Sequence, residues 1–589
     1  MDTSLLKFLR DKIEITHVPF SDRGSRLLVY QHPDKSALYI KLAERLIQVE
    51  PGIESYLHRP PFIEDLRFMD EQGNPLEFKT STSPEMLTFQ SRVGDFRLVF
   101  LDEATLTFGL PNQKATGMRF RVRPVHWHKT DSRGEWRHVR DAVYSVSNGR
   151  AITNQLRADE QSHILEFIVQ AQEDCSVTLR IGDDNAPSSI PFSVAHKSAL
   201  TRWQKWFEHV PEVNEERREK YAYAWWVMAN NLVSPSGFVK YEAMMPTKAF
   251  YVGAWLWDSA LHAIAFRHVD PELARDQIRV MLANQLPDGM LPDAIFDEGV
   301  VSEIGHPIHA KVTKPPIMAW AALKINEIDP NVEFLKEIYE PLKRENAWWF
   351  AHNDDDNDGI VQYTHPYSSG LDNSPLWDHG LPVESPDINT YLVIQMNALA
   401  KIAEIIGQVD EAKDWKRKAD RLTERIIEHL WDEEKGIFNA LHNEKSIPVL
   451  TPFNLYPMWT GQLPKKINAR LLAHLQDPSE FWDRYPLPTV AYNDPAYSAE
   501  KMWRGPVWAN INYFFIEALQ TIGEHQLAKE LREKTLGIIA GQAGIHEYYN
   551  SQSGEAPGSA APIFGWSAAV FIELAIQEYM ETSNKNDGQ

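Results

Sequence analysis

At 589 residues, 43% of them hydrophobic and 24% charged, the chain is an ordinary globular protein long enough for two or more domains. Its 60 Lys and Arg against 82 Asp and Glu leave a net charge of −22. That surface repels phosphate backbones and anionic lipid headgroups, so neither nucleic acid nor a membrane is expected as a partner.

The opening stretch, MDTSLLKFLRDKIEITHV, carries a charge every few residues and does not read as a signal peptide. Cys175 is the only cysteine, which suits a reducing compartment, and no apolar run approaches the roughly 18 residues of a membrane span. A cytoplasmic protein is expected. Residues 1–195 then read as strands: SRLLVYQ, ALYIKLA, FRLVFL, ATLTFGL, MRFRVRPV, ILEFIVQA and SVTLRIG. They are short, rich in β-branched and aromatic residues and punctuated by turn formers, and several alternate apolar with polar residues. The expectation is an antiparallel β-sandwich domain.

From residue 196 the texture turns helical, with 196–215 as a helical linker and 216–589 as a second, all-α domain. DPELARDQIRVMLANQ starts with Asp270 as cap and Pro271 next, and is expected to stop at Pro287. SPDINTYLVIQMNALAKIAEIIG offers Ser385 as N-cap, an apolar face through Leu392, Met396, Leu399, Ala403 and Ile406, and Gly407 as its end. A further helix follows, with Trp415, Leu422, Ile426 and Leu430 on one side. About a dozen such helices, many in adjacent pairs and without a fixed repeat, fit closure into an α/α barrel with its longer loops at the mouth.

Four polar-aromatic loops interrupt this half: YVGAWLWDSALHAI with NQLPDGMLPDA behind it, HPYSSGLDNSPLWDHG, MWRGPVWANINYF, and IHEYYNSQSGEAPG. Each sets a carboxylate, Arg or amide among Trp, Tyr or Phe. A pyranose lays its flat apolar face on an indole while its hydroxyls need fixed polar partners, so these loops point to a sugar site. Glycosidic cleavage needs two carboxyls, one of them kept protonated by apolar surroundings. Asp372, between Leu371 and the Leu376–Trp377 pair, fits that need, and Glu547, among His546, Tyr548 and Tyr549, is the second. Glu555 is its rival in the same loop.

WLWDSALHAIAFRHVDPELARDQ, NQLPDGMLPD, SGLDNSPLWD, WRGPVWANINYF and EYYNSQSGE, in that order over roughly residues 220–580, resemble the six-hairpin (α/α)6-barrel glycosidases. The resemblance is closest to glycoside hydrolase family 63 and its bacterial α-glucosidase, mannosylglycerate and glucosylglycerate hydrolase relatives. It implies Asp372 as general acid and Glu547 as general base of an inverting, exo-acting α-glycosidase taking a terminal glucose or mannose. Inversion implies carboxyls roughly 6.5–9.5 Å apart. It also implies Asp258, Gln285, Asp288 and Arg504 around the first sugar, with Tyr251 and Asn373 beside them. Trp255, Trp257, Trp503, Trp508 and Trp566 would be the apolar walls. Mannosylglycerate-type enzymes usually read ESG where this chain reads Ser368-Ser369-Gly370, which bears on the substrate rather than the reaction.

The plainer readings stand beside these. Asp372 could bond only its own turn, Arg504 could be an ion-pair partner of Asp258, and Trp255, Trp257 and Trp566 could be core. In DDDND, Asp354, Asp356 and Asp358 start like a calcium loop, but position twelve is His365, so a hydrated turn ending a helix at Phe350 is the main reading and a structural calcium ion the lesser one. No cofactor motif occurs. Alternatives on the same barrel are a debranching-type or trehalase-like hydrolase or a phosphorylase. A carbohydrate-binding protein without catalysis is the alternative of another class. The expected partner is a small glycoside or oligosaccharide, and a homo-oligomer is left open.

Overall fold

The structure, a computed structural model, describes residues 4–45, 60–124, 126–130, 133–137, 140–160, 162–182 and 189–586. A short helix, α1 (Ser4–Lys7), precedes strands β1 (Leu27–Gln31), β2 (Leu38–Leu42), β3 (Ile63–Met69), β4 (Phe78–Thr82), β5 (Leu87–Ser91) and β6 (Gly94–Asp102). Strands β7 (Thr105–Gly109), β8 (Ala115–Val122), β9 (His126–Lys129), β10 (Arg133–Arg137), β11 (Ala142–Asp159) and β12 (Ser162–Ile181) complete the sheet.

The antiparallel expectation is met, but not as a sandwich of separate sheets. The twelve strands form one sheet in the order β1-β2-β3-β8-β12-β7-β6-β5-β4, with β11 on the other side of β12 and β10 and β9 beyond it. The reason lies in β12, where ILEFIVQA and SVTLRIG fuse into one 20-residue strand. Its first part pairs with β8 from His163 to Gln170, its second with β7 from Ser176 to Arg180. Register shifts at Ser147/Gly149 and Ala151/Thr153 bend its partner β11. Gly149 sits at that bend because a Cβ there would come within 2.6 Å of Val169 and 2.8 Å of Cys175. The sheet therefore curls as a half-barrel around Leu66, Phe108, Phe120, Tyr144, Leu165, Phe167 and Leu179.

Helix α2 (Phe192–Phe207) lies on β6, β7 and β12 and hands over to the helical half, where the Trp206 indole N–H donates to the Trp225 carbonyl at 3.0 Å. The helices there are α3 (Arg218–Asn230), α4 (Leu256–Phe266), α5 (Pro271–Leu282), α6 (Met318–Ile328), α7 (Val332–His352) and α8 (Pro386–Ile405). They continue with α9 (Val409–Leu430), α10 (Lys465–Leu475), α11 (Ala509–Thr521), α12 (His525–Ala540) and α13 (Gly565–Asn586). A 3-10 segment, Pro452–Thr460, stands between α9 and α10 in place of a regular helix. Pro457 inside it removes an N–H donor and its ring blocks the carbonyl an α-helix would present there.

Contacts run from α4 to α6, α6 to α8, α8 to the 3-10 segment, on to α11, then α13, and back to α4. Burial follows that circuit. Every residue of α4 is buried, as befits a helix surrounded by protein, whereas α9 buries only a stripe through Trp415, Leu422, Ile426 and Leu430. Helix α5 is capped as expected, Asp270 accepting from the Leu273 N–H at 3.0 Å, but ends at Leu282, before the Pro287 boundary. Helix α8 ends at a left-handed Gly407 as expected. Ser385 precedes it without capping it, since its hydroxyl bonds Asp387 instead. Helix α7 runs on to His352, past Phe350. Among the described residues no helix is long and apolar enough to cross a membrane.

Candidate active site

Inner helices α4, α11 and α13 begin at the same place. Asp258 is in the first turn of α4, Trp508 is the residue before α11, and Trp566 is in the first turn of α13. Between them opens a cavity of about 70 Å³. Asp258, Asp372 and Glu547 line it with Lys314, against walls of Tyr251, Trp255, Trp257, Trp503, Trp508, Phe564 and Trp566. Trp503 and Trp508 stack at 3.5 Å between ring centres and 8° between planes, Tyr548 stacks on Trp508 at 4.8 Å, and Trp257 meets Trp566 edge-on at 5.6 Å.

Asp372 stands on a bend that is fixed from both sides. Gly370 takes a left-handed φ of 74°, and a Cβ there would strike the Trp257 ring at 2.4 Å, so only glycine lets this loop lie against that wall. The Ser369 hydroxyl accepts from the Leu371 N–H at 2.9 Å, and the Trp377 indole donates to the Leu371 carbonyl at 2.7 Å. Leu371 and Leu376 are core residues, each 1% exposed, which explains why a turn should be so apolar. Asp372 itself lines the cavity, with a buried Oδ1 that has no hydrogen-bond partner. Burial pushes its carboxyl up to about 7 against the pull of Lys314, with Asp293 adding to the rise.

Glu547, from another loop lining the same cavity, is buried. The Ala561 N–H donates to its Oε2 at 3.3 Å and the Tyr251 hydroxyl to its Oε1 at 3.4 Å. Burial, reinforced by Asp372 and Asp258, pushes it up to about 8 despite those bonds. Asp258 is likewise raised to about 8, by burial first, with Lys314 opposing. The loops are tied together: Val507 and Tyr549 exchange backbone bonds of 2.8 and 3.0 Å, and the Trp503 N–H donates to Asn373 Oδ1 at 2.9 Å.

Four of the sequence-nominated residues lie away from this cavity. Gln285 donates to the Gly289 and Pro341 carbonyls, each at 2.8 Å, closing its own turn. Asp288 pairs with Lys311 at 2.6 Å on the outside. Asn373 is exposed and holds the neighbouring loop. Arg504 is bonded at 2.5 Å to Asp378, not to Asp258. The rival Glu555 is exposed and outside the cavity. In the acidic run, backbone N–H groups of Asp358 and Gly359 bond the Asp354 carboxylate, each at 3.1 Å, and Arg425 holds Asp358 at 2.7 Å. That is the bonding of a turn.

Sequence reasoning missed Lys314 and Asp293. Lys314 is buried, pairs with Asp293 at 2.6 Å and also donates to the Tyr367 carbonyl, on the segment leading to Asp372. The second lysine of KVTKPP offers no pattern to find it by. Asp293 had one: NQLPDGMLPDA contains LPD twice. The first is followed by glycine and turns outward, while the second runs into the strand Ala294–Phe296 beside Trp255.

Residues 251–567 match the family described as the mannosylglycerate hydrolase MGH1-like glycoside hydrolase domain. The chain is 27% identical over 406 residues to a mannosylglycerate hydrolase of Thermus thermophilus, covering 56% of this chain and 95% of that protein. It is 23% identical over 415 residues to a glucosylglycerate hydrolase of Mycolicibacterium hassiacum, covering 55% and 92%. A crystal structure of a family 63 mannosylglycerate hydrolase from Thermus thermophilus with glucose covers 60% of this chain and 99% of its own, at TM-score 0.52 and 23% identity. A bacterial glucoamylase bound to acarbose covers 96% and 95% at TM-score 0.54 and 11% identity, a likeness of fold that takes in the β domain too.

Proposed function

The chain belongs to the MGH1-like glycoside hydrolase family, and on that footing we propose an inverting, exo-acting α-glycosidase that releases a terminal glucose or mannose. We read the circuit of inner helices, with their outer partners, as an (α/α)6 barrel whose mouth is the aromatic cavity. The observation that carries the reading is a pair of raised carboxyls, Asp372 and Glu547, lining one tryptophan-walled cavity from separate loops.

In the proposed reaction Asp372 gives its proton to the glycosidic oxygen as the bond from the anomeric carbon breaks. A water attacks that carbon from the opposite face and loses its proton to Glu547. Asp258 would hold sugar hydroxyls, and the Trp503–Trp508 stack would carry the ring's apolar face. Burial raises Glu547 somewhat more than Asp372, the reverse of the order that base and acid require. Both carboxyls are raised toward neutral pH, so a proton can sit on either there. A water donating to Glu547 and a glycosidic oxygen accepting from Asp372 draw that proton to Asp372 when substrate is bound.

The names of the relatives bring glycerate conjugates of mannose and glucose forward as first substrates to try, beside neutral α-glucosides and α-mannosides. We place the enzyme in the cytoplasm. The reading is tested by Asp372→Asn and Glu547→Gln. Each should lower kcat by about 10²–10⁴-fold, the usual worth of a positioned acid or base, while the fold survives. Only Asp372→Asn should recover with an activated leaving group that needs no proton. Wild-type kcat in either variant would overturn the assignment.

A further inference from the structure

The cavity's outer wall is gripped by the β domain. Trp255 forms one edge of a small sheet: it pairs with Ala294, and Ala294–Phe296 folds back on Gly299–Val301. The same hairpin starts from Asp293, the partner of Lys314, whose carbonyl accepts the Leu256 N–H at 3.1 Å. Its tip, Asp297 and Glu298, meets two arginines of the β domain. Arg26, just before β1, donates to Asp297 Oδ1 at 2.7 Å and brings its Nε within 2.6 Å of Oδ2, with both side chains less than 15% exposed. Arg45, just after β2, lies over the Phe296 ring at 4.4 Å and 3.6 Å from Glu298. Phe296 in turn meets Trp255 edge-on at 5.6 Å. A second grip holds the other approach: fully buried Lys248 donates to the Ser21 hydroxyl at 3.3 Å and the Asp22 carbonyl at 3.2 Å, three residues before Tyr251.

We propose that the β domain is a positioning element of the catalytic cavity, with Arg26 and Arg45 holding the 294–301 hairpin so that Trp255 and the Asp293–Lys314 pair stay in place. The family segment begins at residue 251, so both grips come from a part of the chain outside it. A largely buried ion pair and a cation over a ring fix a hairpin tip better than exposed charges do. A wall or supporting group displaced by about an ångström can cost about 10²-fold in catalysis. The inference rests on the glycosidase reading only for its kinetic arm.

Deuterium exchange on peptides 251–258 and 293–301 is measured beside kcat and KM for Arg26→Ala, Asp297→Arg, their charge-swapped pair (Arg26→Asp with Asp297→Arg), and Arg23→Ala. The last removes a bond to Glu242 of 2.7 Å elsewhere on the same interface and serves as the control. Arg26→Ala and Asp297→Arg should each speed exchange at both peptides and lower kcat/KM about tenfold. The swap should restore both, and Arg23→Ala should leave both as in the wild type. Asp297→Asn replaces Arg26→Ala if that variant does not fold. Unchanged exchange at these peptides, or the same change in Arg23→Ala, overturns the proposal. If the wild type cleaves no glycoside tried, the exchange result still decides the brace, and the glycosidase reading alone fails.

Discussion

Glu547→Gln should make the protein more stable, not less. In an unfolded chain this carboxyl ionises near 4.5, whereas in the cavity burial pushes it up to about 8. The folded chain therefore keeps a proton that the unfolded chain has lost, and stability falls as pH rises from about 4.5 to about 8, then levels. At pH 7 the unfolded group lies some 2.5 pH steps past its midpoint, each worth about 1.4 kcal/mol, so burial of this acid costs up to about 3 kcal/mol. Gln keeps the shape and an acceptor for the Ala561 N–H but carries no ionisable proton. Denaturant titrations followed by tryptophan fluorescence at pH 5 and pH 7.5 give the difference between variant and wild type. It should be under about 1 kcal/mol at pH 5 and a few kcal/mol in the variant's favour at pH 7.5. A variant that is less stable at both, or shifted by the same amount at both, would refute the raised carboxyl of Glu547.

The same burial places the pH optimum. Because Asp372 and Glu547 are raised to about 7 and 8, kcat/KM should be bell-shaped with its maximum near neutrality or just above, and an optimum near pH 4–5 would contradict the geometry. Away from the cavity, Glu573 on α13 bonds Arg267 at 2.8 Å and His268 at 2.7 Å, and Arg267, with the neighbouring histidine, holds its carboxyl far below the usual range. Glu573→Gln leaves buried Arg267 without its full partner and should cost about 3–5 kcal/mol in denaturant stability with kcat unchanged, whereas a loss under 1 kcal/mol would show the pair to be dispensable.

The sequence carried the site in its local contrasts. Asp372 and Glu547 were legible because each is a carboxylate set among large apolar or aromatic residues, which few surface loops show. The tryptophans were legible as a group, although nothing local says that Trp503 and Trp508 stack. What escaped was decided at a distance. Arg504 faces Asp378, Gln285 closes its own turn, and the first LPD turns outward while the second supports Trp255. Lys314 has no local signature because its role comes from Asp293 and a carbonyl more than 50 residues on. In the β domain the strands were readable by alternation, but fusion of two of them into β12 depends on the residues between, where Asp174 takes a positive φ of 57°. That fusion replaces an expected two-sheet sandwich with one curled sheet.

The central claim is that two carboxyls act from opposite faces of one glycosidic bond, with water entering between them. Proton NMR of the sugar first released from an α-glycoside, read before mutarotation, tests it most directly. The β-anomer should appear first and the α-anomer grow in afterwards, while an α-anomer from the first time point would contradict the account.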